Sequence, residues 1–414
     1  IPSRNRVHSG SIYIRFYSEH QIIMAESLKI LTISGIRSEY DILYPILDEL
    51  RSAGHDLTVA VTGAHLSEQH GNTQDRIVQD GFTIVDRIDT LLATDRLVQR
   101  SKGVGMLLQG ITQTVEREKP DFLLVVGDRE ESIATAIVGN YTDTLVAHIG
   151  GGDPVYGNAD DPIRFAVSKL AHLHCCNAKE YAQNLRNIGE EEFRIHYTGN
   201  PAYVNIDQTE QIPLAKLSQS LGLPISEGNY LVLIKHPLSS ELDESLSQMQ
   251  ITMQALEKFC SSKNYQVVCI PPNSDPGSQL IREVFQKYAS RDWFHPVSTL
   301  SRSFFVNLMR HTKTLVGNSS MGILEAPHYK LPVVNIGNRQ KGRLNAGNVE
   351  FVDYKPNEIS NAIVKACFDE KYRNWISDLE NPYGDGTSAR KIREALESVD
   401  LQDSKWYVKK KLCP

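Results

Sequence analysis

The sequence predicts an α/β fold built from two doubly wound parallel sheets. Three observations carry that expectation. From Leu28 onward, short apolar runs alternate with amphipathic helical segments, the order that parallel sheets produce. Those runs end in polar or glycine-rich turns, such as Gly127-Asp128-Arg129, Gly150-Gly151-Gly152-Asp153 and Gly317-Asn318-Ser319-Ser320. The alternation lapses once, between about Pro201 and Asn229, and then resumes. Ligands of open α/β sheets bind beyond the carboxyl ends of the strands, so these turns are where function is expected.

Taken in order, Leu28 to Ser34 reads as the first strand and Tyr40 to Ala53 as a helix, with Gly54 as its stop. Leu57 to Thr62 is the second strand, and 97 to 118 a long helix. Phe122 to Val126 and Leu145 to Ile149 are strands flanking a helix from Glu131 to Tyr141. The helix Ile163 to Leu173, the strand His174 to Asn177, a helix from Lys179 and the strand Phe193 to Thr198 follow. Pro213, Gly222, Pro224 and Gly228 mark the intervening stretch as a linker. The second half has strands at Tyr230 to Ile234, Gln266 to Ile270, Thr314 to Val316 and Pro332 to Ile336, with a helix at Ser247 to Ser261. An amphipathic helix from Ser388 to Val399 ends the pattern. The expected organisation is two Rossmann-like domains facing each other across a cleft. Residues 25–205 form the first and 206–386 the second, and 387–414 return to the first. Residues 1–24 read as an upstream extension or expression scar. They have no compact apolar core and do not read as a signal peptide.

At 414 residues the chain is too long for a single core, and its 41% hydrophobic and 23% charged content is that of an ordinary soluble protein. A net charge of −6 argues against nucleic acid as a partner, because phosphate backbones demand clustered Lys and Arg. No stretch approaches the roughly 20 apolar residues of a membrane helix. Cys175, Cys176, Cys260, Cys269, Cys367 and Cys413 show no metal or redox spacing. The adjacent pair reads as buried thiols, and a cytoplasmic setting is expected.

Asp128, Arg129 and Asp153 lie where two consecutive strands end, and Asp160-Asp161-Pro162-Ile163-Arg164 follows directly. Converging carboxylates suit general acid/base work, and arginines suit an anionic substrate. Ser319 and Ser320 offer hydroxyls to phosphate oxygens, and Glu325 can accept from ribose, although a serine cap for the next helix reads almost as well. His236 ends the first strand of the second half, as a proton donor, a diphosphate ligand or a structural ring. Asn273 lies in a strand-end loop that also reads as a plain turn. Arg339 and Arg343 are ligand contacts or surface charges. Arg37 follows the first strand as a reader of anions, and His65 ends the second with its role open. No nicotinamide fingerprint or metal cluster is present, so no cofactor is expected.

In order and spacing, these motifs resemble the UDP-N-acetylglucosamine 2-epimerases, in particular the hydrolysing branch of sialic and legionaminic acid biosynthesis. The likeness rests on Arg37-Ser38-Glu39-Tyr40, Gly63-Ala64-His65-Leu66, Gly71-Asn72-Thr73, Gly127-Asp128-Arg129 and Asp160-Asp161-Pro162-Ile163-Arg164. It continues through Ser168-Lys169-Leu170-Ala171-His172, His236-Pro237, Gly317-Asn318-Ser319-Ser320, Arg339-Gln340-Lys341-Gly342-Arg343 and Tyr383-Gly384-Asp385-Gly386. It implies a glycosyltransferase-B-type fold, a homodimer or homotetramer, and elimination of UDP from a UDP-sugar followed by hydration of the glycal. UDP-N-acetylglucosamine and UDP-N,N′-diacetylbacillosamine are both substrates it implies. By family position, Asp128 and Asp160 are the acid/base pair, and His236 and Arg129 stabilise the departing diphosphate. Ser319, Ser320 and Glu325 bind diphosphate and ribose, and Arg37 and Arg343 lie on the nucleotide side.

One position departs from the family. Members commonly carry His-Ile-Glu-Gly-Gly-Glu or His-Ile-His-Gly-Gly-Glu, whereas this chain has His148-Ile149-Gly150-Gly151-Gly152-Asp153. Asp153 or Glu131 is then expected to supply the missing acid. A non-hydrolysing epimerase and a catalytically silent nucleotide-sugar binder are the alternatives.

Overall fold

The computed structural model of the protein describes residues 13–17, 21–25, 27–68, 71–92, 98–154, 160–272, 277–297 and 300–407. The chain divides into two compact units. One comprises residues 1–153, 162–202 and 386–414, and the other 154–161 and 203–385. In the stretch before Met24, which shows no coherent pattern in sequence, β1 (Tyr13–Tyr17) and β2 (Gln21–Ala25) pair antiparallel.

The first unit is organised by seven parallel strands. They are β3 (Lys29–Ser34), β4 (Asp56–Thr62), β5 (Thr83–Ile88), β6 (Phe122–Val126), β7 (Leu145–Ile149), β8 (Leu173–Cys176) and β9 (Ile195–Tyr197). Their order in the sheet is β5-β4-β3-β6-β7-β8-β9. The central strands are apolar throughout because helices cover both faces: every residue of β6 and of β7 is buried. Along β3 the side chains alternate, with Ile30 joining one core and Leu31 and Ile33 the other. The C-terminal helix Ser388–Glu397 sets Ile392, Ala395 and Leu396 into the core that holds Leu43, Ile46 and Leu50 of the helix Arg37–Ser52. Arg393 Nε donates to Glu49 at 2.7 Å along the same seam.

The second unit repeats the scheme with β10 (Tyr230–Ile234), β11 (Gln266–Ile270), β12 (Phe294–Pro296), β13 (Leu315–Gly317), β14 (Val333–Ile336) and β15 (Val349–Val352). The order is β12-β11-β10-β13-β14-β15, again all parallel. Leu231 and Leu233 face one core, and Tyr230, Val232 and Ile234 the other.

Two readings of the sequence need correction. The linker stretch contains helices Ala202–Gln208 and Leu214–Leu221, with Tyr203 and Leu217 fully buried. Gly222 there is a left-handed C-cap, so a residue read as a loop marker is a helix stop. The edge strands β5, β12 and β15 escaped notice because they are short or mixed in polarity. All four residues of β15 are at least partly exposed, so it carries little apolar signal.

Candidate active site

In the first unit the winding reverses between β3 and β6, which are hydrogen-bonded neighbours. Such a switch point opens a crevice at the strands' carboxyl ends. Gly35 follows β3, and Gly127-Asp128-Arg129 follows β6. A Cβ on Gly35 would fall 1.7 Å from Glu131 Oε1, so the Glu131 carboxylate lies directly on the backbone at this point. The Gly35 amide donates to Glu39 Oε2 at 2.7 Å. Two buried carboxyl groups thus flank one glycine. Burial, and then the Glu131 charge, push the Glu39 carboxyl up to about 8, so at neutral pH it keeps its proton. Arg129 Nε stands 3.3 Å from Glu131 Oε2.

Asp128 is bound by Arg164 Nη2, and Arg164 Nη1 donates to the Gly150 carbonyl at 2.8 Å. One guanidinium therefore joins the ends of β6 and β7. His148 Nε2 donates to the Gly127 carbonyl at 2.8 Å, steadying the turn that carries Asp128. Gly150 has φ +77, a conformation that side-chain-bearing residues rarely adopt. A carboxylate at that position would therefore strain the backbone, although the space beside it is open to ordinary contact, with Asn177 Nδ2 at 3.4 Å. Asp153 ends the same turn and is 1% exposed.

His65 is fully buried. Its Nε2 lies 3.0 Å from Ser34 Oγ and its Nδ1 2.7 Å from Thr73 Oγ1, so both ring nitrogens have partners within the protein. Burial holds its pKa down at about 4, leaving the ring neutral. Arg37 opens the first helix, half-buried, with Nε 3.7 Å from Asp41 Oδ2. The helix Asp160–Leu170 begins at Asp160, whose side chain lies outside the described residues, as does Asn273.

The second unit reverses its winding between β10 and β13. Asn318 clamps the residue at the end of β10: the His236 amide donates to Asn318 Oδ1 at 2.7 Å, and Asn318 Nδ2 returns a bond to the His236 carbonyl at 2.9 Å. Arg339 Nη1 and Gln340 Nε2 donate to the Asn318 carbonyl at 3.0 and 3.1 Å. Arg343, 5% exposed, is turned inward and bonds Gln340 Oε1 at 3.0 Å. Ser319 Oγ accepts from the Met321 amide at 3.3 Å, a local bond from the residue before the cap of the short helix Met321–Leu324, whose cap residue Ser320 makes no side-chain capping bond. Ser319, Ser320 and Glu325 are each partly exposed at this turn. Gly317 has φ +133, and a Cβ there would lie 1.9 Å from the Ile234 carbonyl oxygen.

The first unit thus gathers carboxyl groups balanced by arginines, an arrangement suited to proton transfer. The second gathers His236, Arg339 and Arg343 around Asn318, suited to an anion. Among the described residues, no three His, Cys, Asp or Glu side chains group closely enough to hold a metal ion. Arg164, Glu39, Asn318 and Lys235 belong to these constellations but were not singled out. The first three lie inside quoted motifs, and Lys235 immediately precedes His236.

The two sheets and their strand-end sites define an α/β enzyme of the glycosyltransferase-B type. Solved structures agree on the fold. The Neisseria meningitidis UDP-GlcNAc 2-epimerase bound to UDP-GlcNAc superposes with a TM-score of 0.76 at 20% identity, over 89% of this chain and 99% of that one. The Staphylococcus aureus MnaA–UDP co-structure gives 0.74 at 21% identity, over 89% and 96%. Residues 48–397 match the UDP-N-acetylglucosamine 2-epimerase family. A Legionella pneumophila protein named UDP-N,N′-diacetylbacillosamine 2-epimerase (hydrolyzing) is 33% identical over 90% of this chain and 96% of its own length. A Campylobacter jejuni GDP/UDP-N,N′-diacetylbacillosamine 2-epimerase (hydrolyzing) is 30% identical over the same shares. The chain belongs to the UDP-N-acetylglucosamine 2-epimerase family, in its hydrolysing branch.

Proposed function

We propose that the protein converts UDP-N,N′-diacetylbacillosamine to UDP and the free 2-epimeric sugar. The observation that carries this reading is the match along 96% of the Legionella relative that bears this activity in its name. The C2 proton of the sugar is not acidic, so its removal runs with cleavage of the C1–O bond. UDP leaves with the electron pair of that bond, giving a glycal. Water then adds its hydroxyl to C1, and C2 is reprotonated from the opposite face.

Asp128 and Asp160 exchange these protons, one removing and the other returning. Arg164 keeps Asp128 oriented. Glu131, resting on Gly35 at the same switch point, takes over the task of the carboxylate that the family carries at position 150, and Asp153 shapes the turn. Arg129 and Arg37 serve the anionic side of the substrate, and His65 acts through Ser34. In the second unit, His236, Ser319, Ser320, Arg339 and Arg343 bind the diphosphate, Glu325 binds ribose and Asn273 the nucleotide. Five buried free thiols, Cys175, Cys176, Cys260, Cys269 and Cys367, fit a reducing cytoplasm. The helix Val98–Glu118, with Val98 and Met106 exposed, is the face we assign to a homodimer or homotetramer contact.

Proton NMR in D₂O tests the activity. Release of UDP with a free manno-configured sugar deuterated at C2 is the expected result. UDP-N-acetylglucosamine belongs in a parallel sample, because a Neisseria meningitidis UDP-N-acetylglucosamine 2-epimerase is also 30% identical over 90% of the chain. An epimer still attached to UDP would indicate the non-hydrolysing reaction, and UDP binding without turnover of either sugar a silent binder.

A further inference from the structure

Lys235 is buried to 1% exposure at the carboxyl end of β10, yet among the described residues it bonds no carboxylate. Its Nζ reaches Tyr354 Oη at 2.9 Å and lies 4.7 Å from the centre of that ring. Tyr354 follows β15, and β13 and β14 stand between β10 and β15 in the sheet. The Lys235 side chain therefore crosses the strand ends to meet Tyr354. Gly337 makes the crossing possible, since a Cβ there would fall 2.4 Å from the tyrosine hydroxyl. The same strand ends carry the Asn318 clamp on His236 and the Arg339 contact with Asn318.

We propose that Lys235 is a positioning residue that couples binding of the nucleotide diphosphate to uptake of a proton, the ammonium so formed resting on Tyr354 beneath the anion. The proposal rests on the reading of this turn as the diphosphate site. Burial first, and then the Arg339 charge, bring the Lys235 amine down to about 7, while Glu241 from the turn Ser239–Glu244 opposes them. His236, next in the chain, and Glu244, which acts on Tyr354, complete the charged and titratable surroundings. An arriving diphosphate adds negative charge to this balance and draws a proton from solvent onto the amine. When UDP departs, the proton is given back. A permanent charge would have to be kept dry and beside Arg339 in the empty site, whereas a proton taken up on binding is charged only when its counter-ion is present.

The signs follow from linkage. The protonated amine favours the anion, so affinity is full below about pH 7 and declines as pH rises through the interval up to the amine's higher pKa in the complex, by at most about tenfold per pH unit. Titration calorimetry of the full chain with UDP at about pH 8, in two amine or sulfonate buffers of different ionisation enthalpy, reads the proton count directly. UDP carries titrating groups of its own, so the quantity of interest is the difference from Lys235→Met. The expected result is a larger uptake in the unmodified protein, together with a steeper pH dependence of affinity. Lys235→Arg, charged throughout, should keep tight binding while losing the extra uptake, and Tyr354→Phe should shift the pH at which uptake is half-complete. Equal proton counts in the unmodified protein and in Lys235→Arg would overturn the proposal even if Lys235→Met failed to fold. Failure of UDP to bind the unmodified protein would instead overturn the diphosphate reading beneath it.

Discussion

Arg164 is bound to Asp128 through one terminal nitrogen and to the Gly150 carbonyl through the other, at 2.8 Å for the latter, so it fastens two adjacent strand ends with a single side chain. Arg164 is 8% exposed. Its removal leaves a half-buried carboxylate and a carbonyl without their common donor. Arg164→Ala should cost about 2–4 kcal/mol of stability, read as a lower midpoint in urea unfolding. Arg164→Lys should recover part of the stability but little of the turnover, because an ammonium lacks the fork that spans both acceptors. An Arg164→Lys enzyme of full activity would show that the spanning geometry does not matter.

Asp128 is assigned to proton exchange, and the diphosphate contacts to other residues. Asp128→Asn should therefore lower kcat by about 10²–10⁴ while leaving the Kd for UDP nearly unchanged. Turnover close to that of the unmodified protein would remove Asp128 from the chemistry.

Glu39 makes stability depend on pH in a defined direction. Its carboxyl holds a proton in the folded protein up to about 8, whereas the ordinary value is 4.5. Between those values the folded state binds the extra proton, so the group's stabilising contribution is complete below 4.5 and is lost as pH rises through about 8. Glu39→Gln keeps the shape of the neutral acid without the charge. Its advantage over the unmodified protein should grow across that interval and level off at about 5 kcal/mol, as measured by denaturation at a series of pH values. An advantage independent of pH would mean that Glu39 is ionised in the fold.

Gly317→Ala sets a Cβ 1.9 Å from the Ile234 carbonyl oxygen at φ +133. The obstacle is backbone within a central strand pair and cannot rotate away. The loss should be about 3 kcal/mol or more, with UDP binding reduced alongside, since Asn318 is the next residue. Differential scanning calorimetry and a UDP titration would check both. Native-like values in both would mean that the strands part at no cost.

Much of this was legible in the sequence. The apolar runs of β3, β6, β7 and β10 stand out because they are buried on both faces and therefore read as continuous hydrophobic segments. Asp128, Arg129, His236, Ser319 and Ser320 stand out because strand ends are where such folds expose chemistry. The edge strands β5, β12 and β15 were not legible, since they are short or mixed in polarity. Glu39 and Lys235 were hidden as well: a charged residue beside an apolar run ordinarily reads as a solvated one.

Pattern along the chain determined which segments are strands, which are helices and where the functional turns fall, because burial imposes a period of two or 3.6 on neighbouring residues. Pairing across the chain was decided only by the tertiary structure. Strand order brought Thr32 of β3 to the Leu124 carbonyl of β6 at 2.9 Å, across 92 residues of sequence. It likewise set Glu131 against Gly35, Arg164 between Asp128 and Gly150, and Lys235 against Tyr354. Those meetings depend on which strands lie side by side and on which rotamers fill the space between them, and no local period encodes either.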